Sequence, residues 1–322
     1  MRNFFVSLLL ALIGLTPPIV SAEVLPVSWR LVSRVFADEP TQIRDVIYGH
    51  KFGTALTMDV LKPAKPSGIG VVFVLSGGWH SDISMIEKRR KHFHYFTDRG
   101  QTVFLVIHSS APKFQVNEVI QDVHRAVRFI RFHAAEYGVN PDRLGISGMS
   151  SGGHLSLSIG TGVDRPMPSD TIPQNNTTTP VDSVERVSSR VQAVACFFPP
   201  TDLLNFGHTG RLFVECDTTK RFWPQFGVMG KPREEQVNVM RRLSPYYAVS
   251  KNTPPVLILH GTQDPLVPLE QSERFIARLK SAGVPAQLIV HQGGAHGWDE
   301  TWESDLGVVA DWFEKYLPAV KK

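Results

Sequence analysis

Apolar residues follow two alternating rhythms along the chain. Residues 69–75 (IGVVFVL) form an unbroken, β-branched run, the pattern of a strand covered on both faces. A helical stretch over 85–97 follows, then an apolar strand over 102–108. Across 116–137, Val119, Val123, Val127 and Ile130 recur at helical spacing, and the run stops at Gly138. Residues 144–147 read as a strand running into a helix that reaches about Ile159. Residues 191–198, 256–260 and 286–291 are further strands, with helices over 269–282 and 304–317. Ahead of this series, 44–48 and 55–60 predict two short strands flanking a turn at 50–53. Strand and helix in alternation mean right-handed crossovers, so the predicted fold class is α/β: a mainly parallel central sheet with helices on both faces.

Two segments break the rhythm. Residues 161–190 are rich in Pro, Asn, Thr and Ser, and residues 205–253 carry aromatics with weak periodicity. Long non-alternating stretches inside an α/β domain tend to be functional. Phe206, Phe213, Trp223, Phe226, Tyr246 and Tyr247 in the second predict either a lid or a small packed core. Asn175-Asn176-Thr177 and Asn176-Thr177-Thr178 match the glycosylation acceptor pattern.

With 42% hydrophobic and 20% charged residues, the 322-residue chain can bury a substantial core. A net charge of +4 without a long basic run argues against nucleic acid as a partner. Arg2, the apolar residues 4–20 and the small-residue end Val20-Ser21-Ala22 read as a secretory signal, residues 1–22, cut after Ala22. Gly14, Pro17 and Pro18 interrupt that stretch, so no stable membrane anchor is expected. The expected organisation is therefore a signal peptide followed by one domain over 23–322, secreted or periplasmic. Cys196 and Cys216 are the only cysteines, which excludes a disulfide scaffold and leaves a single bridge open.

In open parallel sheets, chemistry gathers beyond the carboxyl ends of the strands. At one such end stands Gly148-Met149-Ser150-Ser151-Gly152, a G-x-S-x-G between strand and helix. With 24 serines and 25 glycines in 322 residues, about 0.15 such strings are expected by accident, so placement carries more weight than the string. Ser150 is the candidate nucleophile; Ser147 and Ser151 lack the paired glycines. A serine hydroxyl needs a base, and the base a carboxylate. His296, in the glycine-rich loop Gly293-Gly294-Ala295-His296-Gly297 after the last strand, can reach over the sheet edge. His260 and His291 end strands, and His154 sits on the helix behind the serine; all three read as structural. Asp264 follows the strand before that loop, with Asp202 as its rival. The chain order Ser150, Asp264, His296 is that of α/β-hydrolases and favours Asp264. Gly77 and Gly78 in Ser76-Gly77-Gly78-Trp79, together with the N–H of Ser151, are the candidate oxyanion donors.

These residues resemble secreted α/β-hydrolase esterases of the lipase and carboxylesterase kind, with a carboxyl-terminal part similar to dienelactone hydrolases and prolyl oligopeptidase-like hydrolases. The resemblance runs over about 69–317. Residues 148–155 match the family's G-x-S-A-G-G-H-L, Asp264 with Pro268 matches its acid loop, and His296-Gly297 its base loop. The family's His-Gly-Gly-Gly-Trp reads Leu75-Ser76-Gly77-Gly78-Trp79 here, so the leading His and first Gly are missing. Serine in place of cysteine at the elbow speaks against dienelactone hydrolase activity itself. The resemblance implies a serine hydrolase acting on small-molecule or polysaccharide-linked carboxylic esters, with no cofactor and no metal. A prolyl oligopeptidase-like peptidase and a catalytically silent binding protein are the alternatives, the first weakened by the lack of a propeller ahead of the catalytic region.

Overall fold

The structure, a computed structural model, describes residues 39–111, 113–165, 182–298 and 302–319. The signal segment, both acceptor sequons and part of the first insertion lie outside the described residues.

Eight strands form one sheet: β1 (Thr41–Lys51), β2 (Thr54–Lys62), β3 (Gly68–Val74), β4 (Thr102–Val106), β5 (Val139–Met149), β6 (Ala193–Phe197), β7 (Val256–Gly261) and β8 (Ala286–His291). Their order is β1-β2-β4-β3-β5-β6-β7-β8. β1 pairs antiparallel with β2 and β2 with β4; every pairing from β4 through β8 is parallel. This is the α/β-hydrolase arrangement.

Alternation within the apolar runs explains why they are continuous. Val72 and Val74 of β3 join one core, while Ile69, Val71 and Phe73 join the other, on the opposite face. On the first face pack helices α3 (Val116–Phe132), α4 (Ser151–Thr161) and α7 (Glu270–Ser281); on the second, α1 (Ser84–Arg89), α2 (His94–Thr97) and α8 (Trp302–Tyr316). α3 buries Val119, Val123, Val127 and Ile130 along one stripe, as the spacing predicts. The Glu118 carboxylate accepts from the Gln115 N–H at 2.9 Å and closes its first turn.

Three expectations need correction. The helix read over 85–97 is two short helices joined by a 3-10 turn, Arg90–Phe93, which lets Phe93 and Phe96 both face the sheet. The helix read to Tyr137 ends at Phe132 and continues as the 3-10 turn Ala134–Tyr137. The second insertion forms no core of its own. Its 3-10 segments Phe213–Glu215 and Asp217–Phe226 precede α5 (Arg233–Leu243) and α6 (Pro245–Ala248), and Phe206, Phe213 and Phe226 merge with the main core. Phe213 and Phe226 set their rings edge-on to Trp79, at centroid distances of 5.5 and 4.9 Å. Cys196 in β6 and Cys216 in the insertion are both buried free thiols, so the bridge left open by the sequence does not form. No helix among the described residues is long and apolar enough to cross a membrane.

α8 bears on the strand that carries the candidate nucleophile. A Cβ added to Gly145 of β5 would lie 2.5 Å from the Phe313 ring, so ring and strand pack with nothing between them. Phe313→Ala should therefore lower the unfolding free energy by about 3–5 kcal/mol in urea melts. Phe132→Ala, at the half-exposed end of α3, should cost under about 1 kcal/mol.

Candidate active site

β5 ends at Met149 and α4 begins at Ser151, leaving one residue to reverse the chain. Ser150 makes that turn at φ 54°, ψ −119°, a left-handed conformation that side chains rarely adopt and that costs about 1–3 kcal/mol. Two hydrogen bonds hold it there. The Ser150 N–H donates to the Phe197 carbonyl of β6 at 2.9 Å, and the Ser150 carbonyl accepts from the His154 N–H at 2.9 Å. The paired glycines are required by close approach. A Cβ on Gly148 would stand 2.5 Å from the Gly152 backbone, and one on Gly152 would stand 2.5 Å from the Val74 carbonyl of β3. The sequence folds sharply here because nothing larger fits.

The loops after β7 and β8 bring the two partners. They are stitched together by Gln263 N–H to the Gly294 carbonyl (2.8 Å) and Gly293 N–H to Thr262 Oγ1 (2.9 Å). His296 Nε2 lies 2.8 Å from Ser150 Oγ, and His296 Nδ1 lies 2.7 Å from Asp264 Oδ2. The Asp264 side chain is fully buried and that of His296 is 21% exposed. Burial alone would raise the Asp264 carboxyl; hydrogen bonds from His260 and His296, the positive charge His296 can carry and the Val267 N–H together hold it well below the usual carboxylate range. The other carboxylate oxygen, Oδ1, accepts from the Leu266 and Val267 N–H groups, both at 2.8 Å.

The remaining candidates sort by their partners. Asp202 is buried and committed elsewhere: it accepts from Arg274 at 2.9 Å, Tyr247 at 3.0 Å and Asn205 at 2.8 Å, and so fastens the start of the insertion. His260 bonds Ser272 Oγ at 2.7 Å and the Val267 carbonyl at 2.9 Å, bracing the acid loop from behind. His291 stacks on Trp298 at a centroid distance of 4.3 Å. His154 accepts from the Trp79 indole at Nδ1 (3.2 Å) and donates from Nε2 to the Leu243 carbonyl (2.8 Å). Burial pushes its pKa down to about 4, so the ring stays neutral at ordinary pH.

The oxyanion loop differs from expectation at one position. The Gly77 N–H donates to the His80 carbonyl at 2.9 Å and is not free for a substrate oxygen, which narrows the nominated donors to the Gly78 and Ser151 N–H groups. Ser151 opens α4, where helical N–H groups have no partner within the helix. The missing family residues are replaced by other contacts. Ser76 Oγ meets Ser151 Oγ at 3.0 Å, and Trp79 anchors to His154, tying loop to elbow twice.

These groups open into a cleft of about 610 Å³. Phe198, Met149 and Leu266 supply apolar lining, Trp298 and Trp302 one wall, and Arg221 and Phe222 of the insertion another, with Arg89 reaching in from α1. Phe198 directly follows β6, so the strand-exit rule could have named it; its ring centre lies 4.6 Å from that of His296. Arg89, Arg221 and Phe222 carry no comparable signal: Arg89 ends a short helix, and the other two belong to a segment without a readable period.

The BD-FAE family model matches residues 58–279. The chain is 28% identical over 189 residues to Esterase LipQ of Mycobacterium tuberculosis, covering 59% of this chain and 40% of that protein. It is 24% identical over 266 residues to Esterase LipC of the same organism (82% and 59%). To an acetylxylan esterase of Xylanibacter ruminicola it is 25% identical over 267 residues (81% and 48%). It thus spans about half the length of the curated relatives it matches. Among solved structures, a truncated carbohydrate esterase from gut microbiota superposes with a TM-score of 0.71 at 24% identity, covering 88% of this chain and 98% of that one. A bifunctional GH43-CE protein of Bacteroides eggerthii gives 0.67 at 26% identity (84% and 38%). With a match over more than half its length, and a strand order that fits, the chain belongs to the BD-FAE family.

Proposed function

We propose that this chain is a serine hydrolase that cleaves carboxylic esters through an acyl-enzyme on Ser150, after export from the cytosol. The observation that carries the reading is the unbroken hydrogen-bond chain from Ser150 Oγ through His296 to Asp264, at the floor of a cleft. His296 Nε2 takes the hydroxyl proton as Oγ attacks the carbonyl carbon, and the anionic Asp264 stabilises the imidazolium that results. The Gly78 and Ser151 N–H groups receive the developing oxyanion. His296 then hands its proton to the departing alcohol. A water deprotonated by the same imidazole attacks the acyl carbon, and as the bond to Oγ breaks the imidazole returns the proton to Ser150 Oγ and the acid departs.

Support for ester over amide comes from the relatives, which are named as esterases. The acetylxylan esterase and the carbohydrate esterase favour a polysaccharide-linked ester, acetyl groups first among them. Export is supported by the apolar segment 4–20 and its small-residue end.

Ser150→Ala should abolish labelling by a fluorophosphonate probe and lower 4-nitrophenyl acetate turnover by on the order of 10⁴-fold or more. Asp264→Asn should lower kcat by about 10²–10⁴-fold with the fold intact. Cleavage of a proline-containing amide without any ester cleavage would overturn the reading. A second expectation concerns acid. Because the Asp264 carboxyl is held low, it stays ionised through the acid range, so the acid limb of log(kcat/KM) should keep a slope of one and show no second inflection near about pH 4. A slope approaching two there would mean that Asp264 titrates as an ordinary carboxyl. Amino-terminal sequencing of the exported protein should begin at Glu23.

A further inference from the structure

Among the described residues, the charge that lines the cleft around Ser150 is one-sided. Two guanidinium groups line it, Arg89 and Arg221, and no carboxylate among the described residues does. Asp264 stands on the far side of the His296 ring with its side chain fully buried.

Other half-buried arginines are answered by oxygen acceptors: Arg131 and Arg143 by backbone carbonyls, and two by carboxylates. Arg125 pairs with Asp182 and Glu185, and Arg274 with Asp202. Arg89 does not follow suit: its contact is the Met149 thioether, a weak acceptor, at 3.3 Å. The nearest acid in sequence, Glu87, is taken by Arg44 and Arg90. Desolvation lowers the Arg89 pKa, which means that the cation sits where water serves it poorly. Arg221 lies over the Phe222 ring at 4.7 Å and likewise forms no ion pair among the described residues. Both stand close to the reacting groups. Met149 immediately precedes Ser150, and the Phe222 ring comes within 2.3 Å of where a Cβ on Gly78 would be.

We infer that the cleft selects esters bearing a carboxylate, with Arg89 and Arg221 as its receptors. The inference rests on the ester-hydrolase reading above and narrows its substrate class. A guanidinium presents a planar fork of N–H donors that matches a carboxylate in two parallel bonds, a pairing that a neutral ester does not offer. The charge can belong to either half of the substrate: to the acid, as in a half-ester of a diacid, or to the alcohol, as in an acylated uronic acid.

Matched pairs separate the two sources. Phenyl hydrogen adipate against phenyl methyl adipate, followed by phenol release, tests the acyl side. 4-Acetoxybenzoate against its methyl ester tests the alcohol side. The charged member should have the higher kcat/KM in one pair, mainly through KM, and the pair that responds identifies the half that carries the charge. The preference should shrink as NaCl rises from about 0.05 to 0.5 M. Arg89→Gln and Arg221→Gln should together reduce the charged-to-neutral ratio about tenfold or more, and Arg89→Lys should restore part of it. Neutral members preferred in both pairs, or ratios unmoved by the double substitution, would overturn the inference. Fluorophosphonate labelling of Ser150 distinguishes the failures. Labelling with no charge preference sinks this inference alone, and no labelling with no ester cleaved sinks the hydrolase reading with it.

Discussion

Everything at this site depends on a single residue being held where it does not want to be. Ser150 turns the chain from β5 into α4 at a positive φ, and the turn survives because glycines at 148 and 152 let two backbones pass within contact distance. The local strain is met by hydrogen bonds to the neighbouring strand and to the first turn of the helix. Because one partner lies in the parallel sheet and the other in a helix packed on it, the conformation of one serine is underwritten by two cores, one on each face. Packing far from the cleft therefore governs how well the hydroxyl is aimed.

The same sheet sorts the histidines by solvent. His108, His124 and His154 are buried and pushed down to about 4, so they serve as neutral hydrogen-bonding struts. His296 alone stands between a buried carboxylate and the cleft. One residue type thus does two jobs, and depth decides which. Asp264 shows the converse case. Its burial would favour the neutral acid, yet a dense set of donors keeps it charged, which is what an imidazolium neighbour requires.

Much of the architecture was readable because periodicity reports burial. β3, β7 and β8 and the buried stripe of α3 stand where their apolar patterns place them. The elbow was readable because close approach leaves glycines in the sequence. What escaped was whatever depends on a particular hydrogen bond or on contacts between distant segments. The commitment of the Gly77 N–H to His80 is a local turn that no composition betrays. The insertion reads as irregular since its aromatics answer to Trp79 and its neighbours, not to a period of their own. The arginines of the cleft come from a short helix and a 3-10 segment, whose patterns are too brief to signal which way a side chain points.

His154 joins three parts that the chain keeps far apart: the elbow helix that bears it, the Trp79 indole and the last carbonyl of α5. The imidazole therefore acts as a rivet between the elbow and the insertion. The exposed positions between Phe206 and Leu243 are free of that rivet, while Phe213 and Phe226 share it through Trp79. Fastened in this way, the wall that Arg221 and Phe222 give the cleft is tied to the elbow helix through one buried ring.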